Sequence, residues 1–240
     1  MWVCPLRELG ADQFEGWGQV KAEVGILCAL RGHLSYLLGI STPVVRLGDC
    51  WLVEHGDQLW ALSMQGKTNA LSHESARRML DTFSPGLVLT FGPAALIVGD
   101  HPLETWFSAK HCARLSVAAN TESIALVDQL TSPVQSAGSG SCMEAELLVS
   151  AESFIANTPL IERLRREQLY STVLLDMAGH GVARACVDAR VAWRHFRWAS
   201  DRANDTAVAC FSWNVRTLAK RGEEVAQLIE EATHEYSVIA

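Results

Sequence analysis

Motifs that would announce a metal site or a disulfide framework are missing from this chain. The seven cysteines (Cys4, Cys28, Cys50, Cys112, Cys142, Cys186, Cys210) are widely spaced, odd in number and never form a C-x-x-C pair. They read as buried small hydrophobes or incidental thiols rather than as zinc ligands or bridges. The eight histidines include no H-E-x-x-H or H-x-H pair, so neither a metal nor another cofactor is expected. Positive charge is scarce as well. A net charge of −7 without a block of Lys and Arg argues against nucleic acid as a partner, because that affinity is built largely from phosphate neutralisation. Long apolar runs are absent: nothing approaches the ~20 residues that cross a bilayer. The opening MWVCPLRELG has neither a basic n-region nor an apolar h-region. The expectation is a cytoplasmic protein with no membrane partner.

What is present describes a folded enzyme-sized chain. Its 240 residues are 49% hydrophobic and 20% charged, enough for a sizeable core. Residues 1–21, of mixed polarity and carrying Gly10, Gly16 and Gly18, read as an N-terminal extension, and 22–240 as one domain. The continuous apolar run Val24 to Leu30 predicts a strand covered on both faces. A helix follows the turn at Arg31-Gly32-His33, and His55-Gly56-Asp57 marks a hairpin. Further helices are expected over 66–83, 122–130, 159–168, 177–189 and 214–232. Strands are expected over 86–91, 146–150, 172–175 and 191–199, with a tight turn at Phe91-Gly92-Pro93 and a flexible segment from Thr131 to Ser141. Alternating strands and helices predict an α/β fold: three αβα layers around a central mixed, mostly parallel sheet.

The run Leu174 to Asp205 reads as strand, helix, strand and then an acid at the strand's mouth. Asp201 thereby falls where open α/β sheets bind small molecules, at the carboxyl end of a strand. A second reading of Asp201 stands beside it: a strand-end carboxylate capping the following turn.

Six blocks in order, VGILCALRGHL, SMQGKTNA, LVLTFGPAALIVGD, LLVSAESFI, LLDMAGHGVARAC and FRWASDRA, give the chain a resemblance to the nucleoside phosphorylase and nucleosidase superfamily. It is most similar to methylthioadenosine/S-adenosylhomocysteine nucleosidases. The resemblance implies a purine-containing small-molecule substrate and a homodimer. It also implies that Phe154 stacks on the purine, that backbone groups at Ile155 meet the base edge, and that Met177 lies against the ribose. Gly92 belongs to the glycine turn. Asp201, preceded by Ser200, would protonate the purine as the glycosidic bond breaks, an acid's task that burial among Phe196, Trp198 and Ala199 would favour.

Two positions depart from the family. His33 stands where a glutamate activates water; it is either a general base near neutral pH or a partly buried histidine without catalytic duty. Ala178 stands where a glutamate grips the ribose hydroxyls, a loss of about 2 to 4 kcal/mol at ~1.5 to 3 for each charged hydrogen bond. Leu89-Thr90-Phe91-Gly92-Pro93 offers no arginine, and Pro93 lacks an N–H for an anion nest, so hydrolysis is favoured over phosphorolysis. Thr131 to Ser141 is a candidate lid. The expectation is a divergent nucleosidase-like hydrolase of N-glycosidic bonds. The alternatives are a purine-binding accessory protein and an enzyme repurposed for a specialised metabolite.

Overall fold

The structure, a computed structural model, describes residues 21–117, 124–134, 141–156, 158–167 and 169–239. Nearly all of the extension assigned to residues 1–21 lies outside them, as does the centre of the candidate lid. In chain order the elements are β1 (Val24–Cys28), α1 (Arg31–Ile40), β2 (Thr42–Leu47), β3 (Cys50–His55), β4 (Gln58–Met64) and α2 (Asn69–Phe83). There follow β5 (Leu87–Val98), β6 (Trp106–Val117), β7 (Ile124–Thr131), β8 (Met143–Ser150), α3 (Thr158–Glu167) and β9 (Val173–Asp176). The last are α4 (Gly179–Ala189), β10 (Ala192–Asp201), α5 (Ala207–Leu218) and α6 (Gly222–Ile239).

All strands join one ten-stranded sheet in the order β10-β6-β8-β9-β5-β1-β4-β3-β2, with β7 on β6. An additional β10–β5 pairing closes β10, β6, β8, β9 and β5 into a ring. The expected mostly parallel sheet is therefore corrected to a mixed sheet with a closed barrel. Among the described residues, five strand pairings are parallel and five antiparallel. Helices cover both faces, as expected. Met79 and Phe83 of α2 and Val182 and Cys186 of α4 enter one apolar cluster, while Leu34 and Leu37 of α1 and Val225 and Ile229 of α6 enter another.

The helix expected over 122–130 is corrected: residues 122 and 123 lie outside the described residues, and 124–130 belong to strand β7. Asp128 sits at φ 57°, and the β6–β7 register shifts between Cys112 and Arg114. Such a bulge interrupts the two-residue alternation after Val127, and the bare spacing of Ile124, Val127 and Leu130 mimics a helical stripe. The expected turn at Gly92-Pro93 lies instead inside the continuous strand β5. The terminal helix is two helices, α5 and α6. They meet α1 so closely that a Cβ on Gly32 would lie 2.2 Å from the Ala219 carbonyl oxygen.

The strands that hold the site follow from their composition. β1 and β9 are buried at every position, as strands covered on both sides are. β4 ends beside β1, and β10 ends at Asp201 beside β5; these ends open onto a cavity that the middle of β5 also lines.

Candidate functional site

Residues from distant segments line a cavity of about 380 Å³, among them Gln65, Gly92, Phe154, Met177, Arg197 and Asp201. Ile155, Ala178 and Ser200 also line it. The structure thus brings together every expected site residue except His33.

Consecutive residues of a regular strand point to opposite faces, yet Ser200 and Asp201 both reach the cavity. The cause is a bulge: Ala199 pairs with Ala94 and Asp201 with Ala95, leaving Ser200 as the extra residue. Asp201 is 2% exposed. One carboxylate oxygen, Oδ1, accepts from the Ala203 N–H at 2.8 Å, and Oδ2 lies 2.8 Å from the Ser200 hydroxyl. Asp201 therefore caps its following turn and lines the cavity at once. Burial pushes its carboxyl above the usual range, with the bonds from Ala203 and Ser200 opposing. The Ser200 hydroxyl is also 3.2 Å from the Ala94 carbonyl, which can only accept. If Ser200 donates there, a protonated Asp201 donates to Ser200; if Asp201 is ionised, Ser200 turns to it. Both protonation states have a partner.

Phe154 is partly exposed and meets Phe211 edge-on, with ring centroids 5.3 Å apart. Gly92 is required by packing, since a Cβ there would lie 2.7 Å from the Ala29 Cβ. Ala178 contributes only a methyl group. Its carbonyl accepts from the Ser72 hydroxyl at 2.6 Å. His180 turns away, its Nε2 3.0 Å from the Asp128 carbonyl, as the ~200° rotation over two helical residues requires.

His33 is buried outside the cavity lining. Its Nε2 donates to the Leu218 carbonyl at 2.6 Å, which at the end of α5 also accepts from the Arg221 N–H at 2.9 Å. Burial lowers its pKa, against the raising influence of that bond and of Glu224. Of the two readings of His33, this geometry is that of a buried structural histidine.

Asp176 and Arg197 line the cavity as well, although neither is among the residues expected from the sequence. Asp176 ends β9 just as Asp201 ends β10, and that shared strand-end position was the available signal. Arg197, 1% exposed, donates from Nε to Asp176 Oδ2 at 2.8 Å and from Nη1 to the Thr90 hydroxyl at 2.7 Å. Asp176 also accepts from Ser150 and from the backbone N–H groups of Ala178 and Gly179. Arg197 Nη2 has no protein partner.

The Thr90 hydroxyl accepts from Arg197 and lies 2.7 Å from His195 Nδ1. Burial, and next the charge of Arg197, hold the pKa of His195 well below the usual histidine value.

Among the described residues no group of three or more His, Cys, Asp or Glu side chains could hold a metal ion. Of the lid segment, Ser132 donates to the Trp193 carbonyl at 2.6 Å and Ser141 bonds Glu231, and no described residue of it lines the cavity. No helix among the described residues is long and apolar enough to cross a membrane.

No protein-family model matches the chain, and no curated protein matches it by sequence. Solved structures do. A Helicobacter pylori nucleosidase carrying an aspartate-to-asparagine replacement, with 5'-methylthioadenosine in its active site, is 19% identical. That match has a TM-score of 0.70 and covers 88% of this chain and 100% of that one. The 5'-methylthioadenosine/S-adenosylhomocysteine nucleosidase of Neisseria meningitidis, in complex with methylthio-immucillin-A, is 16% identical at TM-score 0.71, covering 87% and 97%. Futalosine hydrolase of Helicobacter pylori is 19% identical at TM-score 0.71, covering 90% and 98%. The chain shares the fold of these nucleosidases.

Proposed function

We propose that the protein is a nucleosidase-like hydrolase that cleaves the N-glycosidic bond of a purine nucleoside or a modified relative. The observation that carries this reading is the meeting of Asp201, Phe154, Ile155 and Met177, from three separate segments, around one cavity. The fold it shares with nucleosidases supports it.

Phe154 stacks on the base, and Asp201, its acid form favoured by burial, donates a proton to the base as the bond from the anomeric carbon to nitrogen breaks. Water adds to the cationic sugar carbon and releases a proton to solvent, from which Asp201 is recharged. Asp176 and Arg197 line the sugar side. The carboxylate supplies a fixed negative charge near the developing cation, and Arg197 Nη2, a donor without a protein partner, is available to a sugar oxygen or to the attacking water.

Incubation with 5'-methylthioadenosine, S-adenosylhomocysteine, adenosine and inosine, with and without phosphate, tests this directly. Free base is expected without phosphate and is expected to vanish in Asp201→Asn. No base from any of the four, with no thermal stabilisation by purines, overturns the reading.

One observation favours a second reading, a purine-binding protein without turnover: Ala178 offers no carboxylate to the sugar, and His33 is engaged at Leu218. Purines would then raise the melting temperature while no base is released.

A further inference from the structure

Gln65 has no part in the chemistry above. It follows β4, and its N–H donates to the Cys28 carbonyl at 2.9 Å, extending the β1–β4 ladder. The residue lines the cavity and is 6% exposed. Neither Nε2 nor Oε1 of its amide has a protein partner, a costly condition for a buried donor and acceptor. Gly66 holds the turn against α2, since a Cβ there would lie 2.3 Å from the Leu71 carbonyl carbon. Beside it Lys67 is exposed, also lines the cavity, and has no ion pair among the described residues.

The sheet fixes where this pair lies. β4, β1, β5 and β10 run side by side, with Met64 paired to Cys28, Cys28 to Phe91 and Gly92 to Arg197. Three strand spacings, about 14 Å, therefore separate the backbone at Gln65 from that at Arg197, and Asp201 lies further along β10. Gln65 and Lys67 stand at the end of the cavity remote from the acid.

We propose that Gln65 and Lys67 form a specificity subsite for the substrate's far end, the substituent remote from the leaving base, and select one that carries a carboxylate together with a hydrogen-bond donor. The carboxylate accepts from Gln65 Nε2 and from the Lys67 ammonium, and the donor, an ammonium or a hydroxyl, pairs with Gln65 Oε1. An apolar thioether end would leave both amide atoms unpaired, so the subsite discriminates against it. The inference rests on the nucleoside reading of the cavity.

Calorimetric titration of the full chain carrying Asp201→Asn, so that no nucleoside is cleaved during the measurement, with adenine, 5'-methylthioadenosine and S-adenosylhomocysteine separates the two. In that background the wild-type subsite is expected to bind S-adenosylhomocysteine about tenfold or more tighter than 5'-methylthioadenosine. Gln65→Met and Lys67→Met are each expected to narrow that ratio. Because the ratio is taken within each variant, partial loss of folded protein cancels, and Lys67→Met, at an exposed position, covers a failure of Gln65→Met to fold. Binding of adenine with a ratio near one for the wild-type subsite, or a ratio that both variants leave unchanged, overturns the subsite and leaves the purine pocket standing. Failure of all three ligands to bind overturns both.

Discussion

Asp201 carries two duties on one carboxylate: it fixes the turn after β10 through the Ala203 N–H and faces the cavity among apolar neighbours. Replacing it by Asn keeps an acceptor for Ala203 and removes the proton. The expected outcome is a fall in kcat of about 10²- to 10⁴-fold, with purine binding retained in thermal-shift assays. The same variant reports on stability. Burial raises the folded pKa of Asp201 above its unfolded value. Its stabilising contribution is therefore complete below about pH 3.9 and is lost as the pH rises through the raised value. Melting temperatures between about pH 4 and 8 should show Asp201→Asn gaining on wild type as the pH rises; parallel curves would contradict the shift. His33 behaves in the opposite sense. Its folded pKa is lowered, so its contribution is present above about pH 6.5 and is lost as the pH falls below that. His33→Gln should cost about 1 to 3 kcal/mol in urea melts by disturbing the buried bond to Leu218, while leaving the rate of base release close to wild type. A hundredfold loss of rate in a folded variant would restore His33 as a general base.

Between elements, the ion pair of Asp176 and Arg197 ties the end of β9, and through Ala178 and Gly179 the start of α4, to β10. Arg197→Met leaves a buried carboxylate short of its cation and should cost about 3 to 5 kcal/mol. The double variant Asp176→Leu with Arg197→Met should lose less than the sum of the single changes, and chemical denaturation measures both. The contact of α2 with α4 is as exacting: a Cβ on Gly181 would lie 2.0 Å from the Asn69 carbonyl oxygen. Gly181→Ala should destabilise by about 1 to 3 kcal/mol through overpacking, read as a lower urea midpoint. Elements of this kind differ in how plainly the sequence spells them. β1 and β9 were legible because strands buried on both faces are written as apolar runs. β7 was not, since Ile124, Val127 and Leu130 fall at helical spacing and the bulge at Asp128 breaks the alternation that marks a strand. The break between α5 and α6 was hidden because only Gly222, at the start of α6, marks it, and a lone glycine is tolerated inside a helical pattern.

At the scale of the whole molecule, the sequence disclosed most of the strands but not that they close on themselves. Closure depends on β10 pairing with β5 on one side and β6 on the other, and nothing in a strand's own residues names its second neighbour. The site shows the same division. Phe154, Met177 and Asp201 could be picked out from local blocks, whereas Gln65 acquires meaning only when β4 lies three strands from β10. An orphaned amide is a property of surroundings, not of residue type.

The ring has a consequence for synthesis. β5 leaves the ribosome far ahead of β10, yet the two must pair before the barrel is shut. Until Asp201 has emerged, Gly92 belongs to an open sheet with unpaired edges, a state prone to wrong partners, and Gln65 and Phe154 have no acid opposite them. The cavity, assembled from both ends of the chain's order, is therefore finished late, and a nascent chain that stops short of β10 has no pocket to offer a ligand.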